Sequence, residues 1–282
     1  MDLCCPAPLR LTEAPPDLAA WTRLCLAAPL PVLADTAAAL EELRAAEDAV
    51  DAHLVAAAIA HDPLMTLKLL AHVAGVRSAR TSGDPETVTA ALVLLGIGPF
   101  FRAFGPQPTV AAHLADEAQA LRGFDAVMRR SRRAAVFALG FAVHRMDPDA
   151  ALLHVAALLH DFAELLLWLH APALALQIAR AQRADPALRS AAAQRAVLNI
   201  ELAELQQALL RAWRLPELLA RLEDDGRPST PQVRNVQLAV RVARHSALGW
   251  DNAAIGDDVR EIAALLNLGE TPTRHLLLDL DG

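Results

Sequence analysis

Two adjacent residues, His160 and Asp161, carry the most chemistry in this chain, and they stand in the otherwise apolar run LLHDFAELLLWLH (158–170). An imidazole beside a carboxylate suits a catalytic metal ion, but such an ion needs three or more ligands converging on one point. Consecutive helical residues diverge by about 100°, so the pair reaches one ion only at a helix end or distortion. Other histidines lend little. His154 and His160 diverge around a helix, and His154 and Asp161 share a face about two turns apart. His170 belongs to a later turn. His154 and His170 read as ordinary partly buried or surface histidines. If the chain holds a metal at all, His160 and Asp161 are its ligands.

The elements that position this pair are helices. Hydrophobic residues make up 54% of the chain, chiefly Ala and Leu, and Tyr is absent, a balance that favours helix over strand. Asp-Pro at 62–63, 84–85, 147–148 and 185–186, and Thr-Pro at 230–231 and 271–272, mark six candidate helix starts. Apolar spacing predicts helices at about 36–45, 51–60, 63–74, 85–95, 108–121, 124–145, 148–159, 161–169, 172–182, 186–195, 199–213, 217–223, 231–248, 258–267 and 272–278. The expected fold is all-α, with clear loops at 78–84 and 223–230. GPQPT (105–109) reads as a seam between two lobes, and no fixed-period repeat is present.

The net charge of −7 argues against a general nucleic-acid binder. Cys4, Cys5 and Cys25 form neither a disulfide framework nor metal spacing, and a reducing cytoplasm is expected. No signal peptide is evident, and the apolar runs look too short and interrupted for a bilayer, so no membrane partner is expected. No Ser-His-Asp set, phosphate loop or CxxC is present.

Other polar groups read more simply. In MRRSRR (128–133), Arg129, Arg132 and Arg133 share a helix face that could hold a phosphate or a partner, or be a solvated basic face. His61-Asp62-Pro63 imitates the HD pair, but Pro63 makes Asp62 a helix cap. Gly96 reads as a helix C-terminal glycine and Trp213 as core. Lys68, His72, Arg77 and Arg80 make a loosely basic helix end without a site, and Cys4 and Cys5 lie in a lead-in.

Five blocks in order carry a family resemblance: LAAPLPVLADTAAAL, LVAAAIAHDPLMTLKLLAHV, ETVTAALVLLGIGPFFRAF, VAALLHDFAELLL and ELAELQQALLRAWRLPELL. Over roughly 22–250 the chain resembles the HD-related output domain (HDOD) family, relatives of the HD metal-dependent phosphohydrolases. The resemblance implies an HD-like helical bundle: a Pro-rich lead-in (1–20), an N-terminal lobe (21–107), an HD-like lobe (108–250), and a C-terminal helical extension (251–282) packed on it. It also implies a bacterial signalling role exercised through protein contacts.

The same resemblance exposes departures. Active HD hydrolases add an earlier His and a later Asp to the pair, and those positions fall at about Arg130 and near Val240. The following Gly-Lys is Ala163–Glu164 here. A metal-free HD position would leave the Asp161 carboxylate buried without a counter-charge, so an Arg130–Asp161 ion pair is the expected relic. In the plainer alternative Arg130 faces solvent and Asp161 caps a helix. The expectation is a non-catalytic regulatory module, a pseudo-enzyme without cofactor, its partner a signalling protein or a small molecule in the cleft between lobes. Two alternatives are a divergent metal-dependent phosphohydrolase and a nucleotide-binding pseudo-enzyme using Arg130 and neighbouring arginines.

Overall fold

A computed structural model of the chain describes residues 10–76, 86–215, 221 and 230–282. Among these residues the fold is all-α, and the one extended contact is a parallel bridge between Val32 and Thr109. The N-terminal elements are α1 (Leu18–Ala27), α2 (Ala34–Ala45), α3 (Ala52–Ile59), α4 (Pro63–Val76), α5 (Val88–Leu95), α6 (Ile97–Ala103) and α7 (Val110–His113). The HD-like part holds α8 (Ala118–His144), α9 (Ala150–Leu159), α10 (Phe162–His170), α11 (Pro172–Ala184), α12 (Ser190–Leu198), α13 (Leu202–Ala212) and α14 (Pro231–His245). Two C-terminal helices follow, α15 (Ile255–Leu266) and α16 (Glu270–Asp281).

The spine is α8, 27 residues long and so about 40 Å. Its buried face recurs at helical spacing through Phe124, Val127, Ser131, Ala134, Ala138 and Phe141. Helices α9, α10, α14 and α16 pack directly on it. The expected break between 121 and 124 is absent, because Gly123 serves a different purpose. A Cβ built there would lie 2.5 Å from the Trp168 ring, so the missing side chain lets α10 approach α8 closely.

Several expectations about local structure change. The Pro-rich lead-in is anchored where it is described: Leu11 N–H donates to His170 O at 2.8 Å, and Arg10 donates to the carbonyls of Leu169 and His113. Cys4 and Cys5 lie outside the described residues, as do Arg77, Arg80, both predicted loops apart from Thr230, the 84–85 start and most of the predicted 217–223 helix. Helices α1 and α6 are additional. α1 packs on α13, and Trp21 Nε1 donates to Leu198 O at 2.9 Å, so this element leans on the HD-like part rather than on its sequence neighbours. Its cap is Asp17, an Asp without the following Pro that marked the other starts.

Pro63 and Pro231 do occupy first-turn positions beneath Asp62 and Thr230. Asp147-Pro148 and Asp185-Pro186 instead form turns, and their helices begin at Ala150 and Ser190. Pro272 lies in the first turn of α16, where a missing N–H costs little. Gly96 ends α5 with φ +84°. Trp213 is only partly buried, tilted against Phe162 with ring centroids 5.9 Å apart.

The core is continuous, running from Trp21 through Phe100 and Phe162 to Leu277. α16 packs on α8 and α15, and α15 on α14. Ala150–His170 is by length and composition apolar enough to cross a membrane, but it is two helices, mostly buried, broken at His160–Asp161.

Candidate functional site

The break between α9 and α10 is what brings the pair together. His160 keeps right-handed helical dihedrals, whereas Asp161 (φ −109°, ψ 20°) leaves the helix and starts α10. The two side chains then point to one place: His160 Nδ1 lies 3.2 Å from Asp161 Oδ1.

Asp161 is 7% exposed, and arginines from two other helices meet it. Arg130 on α8 donates from Nε to Oδ2 at 2.8 Å, an ion pair. A terminal Arg130 nitrogen donates to Glu164 Oε2 at 2.6 Å. Arg244 on α14 donates to Oδ1 at 2.6 Å. Asp161 makes no side-chain cap, so the plainer alternative of a solvent-facing Arg130 is not what is found. Burial pushes the Asp161 carboxyl up, but Arg244 and Arg130 outweigh it and hold the group well below the usual carboxylate range. Burial opposes the Arg130 charge, and Asp161 and Glu164 overcome it, so the guanidinium is held more firmly protonated than usual.

Arg244 and Glu164 escaped sequence reasoning. Val240, at the place of the later ligand, is buried and lines a cavity, but Arg244 lies one turn further along α14 and reaches where Val240 does not. A charged residue at i+4 from the expected ligand was the available signal. Glu164 replaces a family Lys, and the reversal of sign there pointed to a cation opposite it.

The implied divalent ion does not fit these residues. Each Asp161 oxygen already accepts from a guanidinium, and the two further ligand positions hold Arg130 and Val240. Among the described residues no three His, Cys, Asp or Glu side chains converge. His160 and Asp161 are left as a polar pair without the rest of a coordination sphere.

Of the basic run on α8, Arg133 does not share an open face with Arg129 and Arg132. It turns inward to Asp281 (2.5 and 2.9 Å) and Ser246 Oγ (2.8 Å), because α16 closes over that side of α8. Arg132 donates to His61 O at 3.0 Å, and Arg129 is exposed. Asp62 is fully buried and caps α4 through Leu64 and Met65 N–H, and it also accepts from Leu33 N–H. Lys68 is likewise structural: it donates to Leu30 O and Gln107, and burial pushes it down to about 8.

His154 meets His61 edge-on at 6.4 Å and His170 meets His113 at 5.7 Å; burial pushes both His154 and His170 down to about 4.

A cavity of about 580 Å³ opens on the pair. Its floor is Arg130, His160, Asp161, Glu164 and Arg244, and its walls come from α10 to α13, including Trp168 and Ile178. A second, of about 400 Å³, shares His160 and Arg244 with the first. The first lies within the HD-like part and the second is bounded by α14, His160 and Glu261 of α15, so neither is lined by the described residues of the N-terminal lobe.

The solved structures with this architecture include the response regulator MmoQ of Methylococcus capsulatus, with TM-score 0.65 and 23% identity, over 88% of this chain and 98% of that one. A virulence factor of Campylobacter jejuni also has TM-score 0.65, at 18% identity over 92% of this chain and 93% of that one. At these identities the likeness is one of fold. No curated protein matches the chain. The HDOD domain profile matches residues 30–223, most of the chain and all of the helices that meet at Asp161 except α14. The chain belongs to the HDOD domain family.

Proposed function

We propose that this protein is a non-catalytic regulatory module of signal transduction, working by recognition at the HD-like part rather than by phosphoester hydrolysis. One observation carries the reading: both oxygens of the Asp161 carboxylate are bonded to arginines from separate helices. A carboxylate neutralised this way ties α8, α10 and α14 together, which is a structural use of the residue an HD hydrolase gives to its metal. The likeness to the response regulator MmoQ supports the signalling part of the reading. The setting proposed is the cytoplasm, in keeping with Cys25, a buried free thiol.

Recognition would take place through the helical surface of the HD-like part or through the cavity above the pair, with a signalling protein or a small molecule as the partner. Metal analysis of the purified full chain, with hydrolysis of a phosphodiester and a phosphomonoester, tests the reading. The expected result is substoichiometric metal, unchanged in His160→Ala, and no metal-stimulated turnover. Stoichiometric iron, manganese or zinc that is lost in His160→Ala would refute it.

A further inference from the structure

One face of α14 carries three arginines beside a cavity. Arg234, Gln237, Arg241 and Arg244 are spaced by three, four and three residues, which at about 100° per residue confines them to an arc of about 80°. The other side of the helix is buried through Val233, Val236, Ala239 and Val242. The four polar residues line the 400 Å³ cavity, whose remaining walls include His160 and Glu261. His160 and Arg244 stand between this cavity and the larger one, so the two spaces meet at that pair.

The three guanidinium groups are committed to different degrees. Arg241 is tied down, with Nε on Asp258 at 2.7 Å and a terminal nitrogen on Glu261 at 2.8 Å. Asp258 also faces His245 Nδ1 at 2.6 Å, so Arg241 is the most committed of the three. Arg244 spends one nitrogen on Asp161, and its side chain is 48% exposed. Because Arg130 holds the other Asp161 oxygen, that carboxylate keeps a counter-charge when Arg244 turns away. Arg234 is partly buried beside the cavity and makes no side-chain hydrogen bond or ion pair among the described residues.

We propose that this face of α14 binds the phosphate group of a phosphorylated small molecule, with Arg234 and Arg244 as donors and the rest of the molecule extending past His160 into the larger cavity. Planar guanidinium forks match the oxygens of a tetrahedral oxyanion. Cavities of about 300–1,000 Å³ suit small molecules. Trp168, Ile178 and Ala179 offer the larger space an apolar wall for an uncharged body. Glu261 opposes an anion at one edge, but Arg241 already neutralises it. The site rests on the proposed reading of the HD pair only in that arginines, not a metal, hold the phosphate.

The test is calorimetric titration of the full chain with inorganic pyrophosphate at constant ionic strength, with and without EDTA. Saturable binding that survives EDTA is expected. It should weaken about tenfold in Arg234→Gln and again in Arg244→Gln, each removing a charge-assisted donor. Arg234→Gln breaks no side-chain bond among the described residues, so its unfolding midpoint should match that of the parent chain. An Arg129→Gln/Arg132→Gln double variant should bind as the parent does. Phenyl phosphate should bind more tightly than inorganic phosphate, and equal affinity would overturn the placement of the body in the larger cavity. No saturable heat from metal-free protein, or unchanged binding by the Arg234→Gln/Arg244→Gln double variant, overturns the site alone. Binding abolished by EDTA in protein that carries stoichiometric metal overturns both this site and the non-catalytic reading.

Discussion

Replacing Arg130 by Met tests whether the HD pair has become a structural device. The substitution keeps much of the side-chain volume but removes the partner of Asp161 Oδ2 and the cation on Glu164. Breaking a buried ion pair from one side typically costs about 3–5 kcal/mol, because a charge is left buried. Two features reduce that figure. Arg244 stays on Oδ1, and the Glu164 side chain is 34% exposed and so recovers water. We expect Arg130→Met to cost about 2–3 kcal/mol.

Replacing both residues, Arg130→Met with Asp161→Leu, should recover most of this loss, since Arg244 and Glu164 can then turn to solvent and the space is filled. The assay is urea unfolding of the four proteins of the cycle at pH 7, analysed for the coupling energy. The acid limb gives a second reading. Because the folded-state carboxyl is depressed, its contribution is fully present above the unfolded value of about 3.9 and is lost as pH falls through the lower folded value. The difference between the parent chain and Arg130→Met should therefore narrow in strong acid. A cost below about 1 kcal/mol, or coupling near zero, would refute the reasoning, since surface ion pairs are worth that little.

Three further outcomes follow from the packing. His154 and His170 titrate near 4 when folded against about 6.5 unfolded, so their contribution is present above 6.5 and falls away toward 4. At pH 5 each should cost roughly 2 kcal/mol relative to pH 8, and a His154→Gln/His170→Gln double variant should show a flatter thermal-stability profile. Gly123→Ala places a methyl 2.5 Å from the Trp168 ring and should destabilise by about 1–3 kcal/mol in urea, whereas Gly75→Ala, with open space around it, should stabilise by about 0.5–1 kcal/mol. Asp281→Asn weakens the grip of Arg133 and Trp250 on α16, and hydrogen exchange over 270–282 should quicken relative to α15, while unchanged protection would show that Leu277 and Leu280 hold the helix alone.

The fold class was legible because helical periodicity and proline punctuation act locally, as at Asp62-Pro63 and Thr230-Pro231. Where neighbours in space decide, the sequence misleads. Asp185-Pro186 has the same two residues as Asp62-Pro63, yet the chain turns there and α12 starts only at Ser190. The difference is the setting. Asp62 is wholly buried and also accepts from Leu33 N–H, whereas Asp185 is exposed and accepts only from its own turn. Gly123 reads as a helix breaker by propensity, but the approach of Trp168 makes it a contact surface inside the longest helix. α1 carried no Asp-Pro, and only its long-range packing on α13 shows what it is for.

The site follows the same division. Arg130 could be found by asking what stands where an HD ligand should be, since that question concerns one position and one charge. Arg244 was harder to see, because it does not replace the later ligand. It reaches Asp161 from one turn beyond Val240, and only the rotation of α14 against α9 and α8 decides that. Two arginines on one carboxylate are more than neutrality requires. One of the pair, Arg130, is only 18% exposed and shared with Glu164, and the other is half exposed at the junction of two cavities. That asymmetry separates their roles: Arg130 holds the helices together, and Arg244 keeps donors free to answer a ligand. Arg130→Met should therefore act on stability, and Arg244→Gln chiefly on binding.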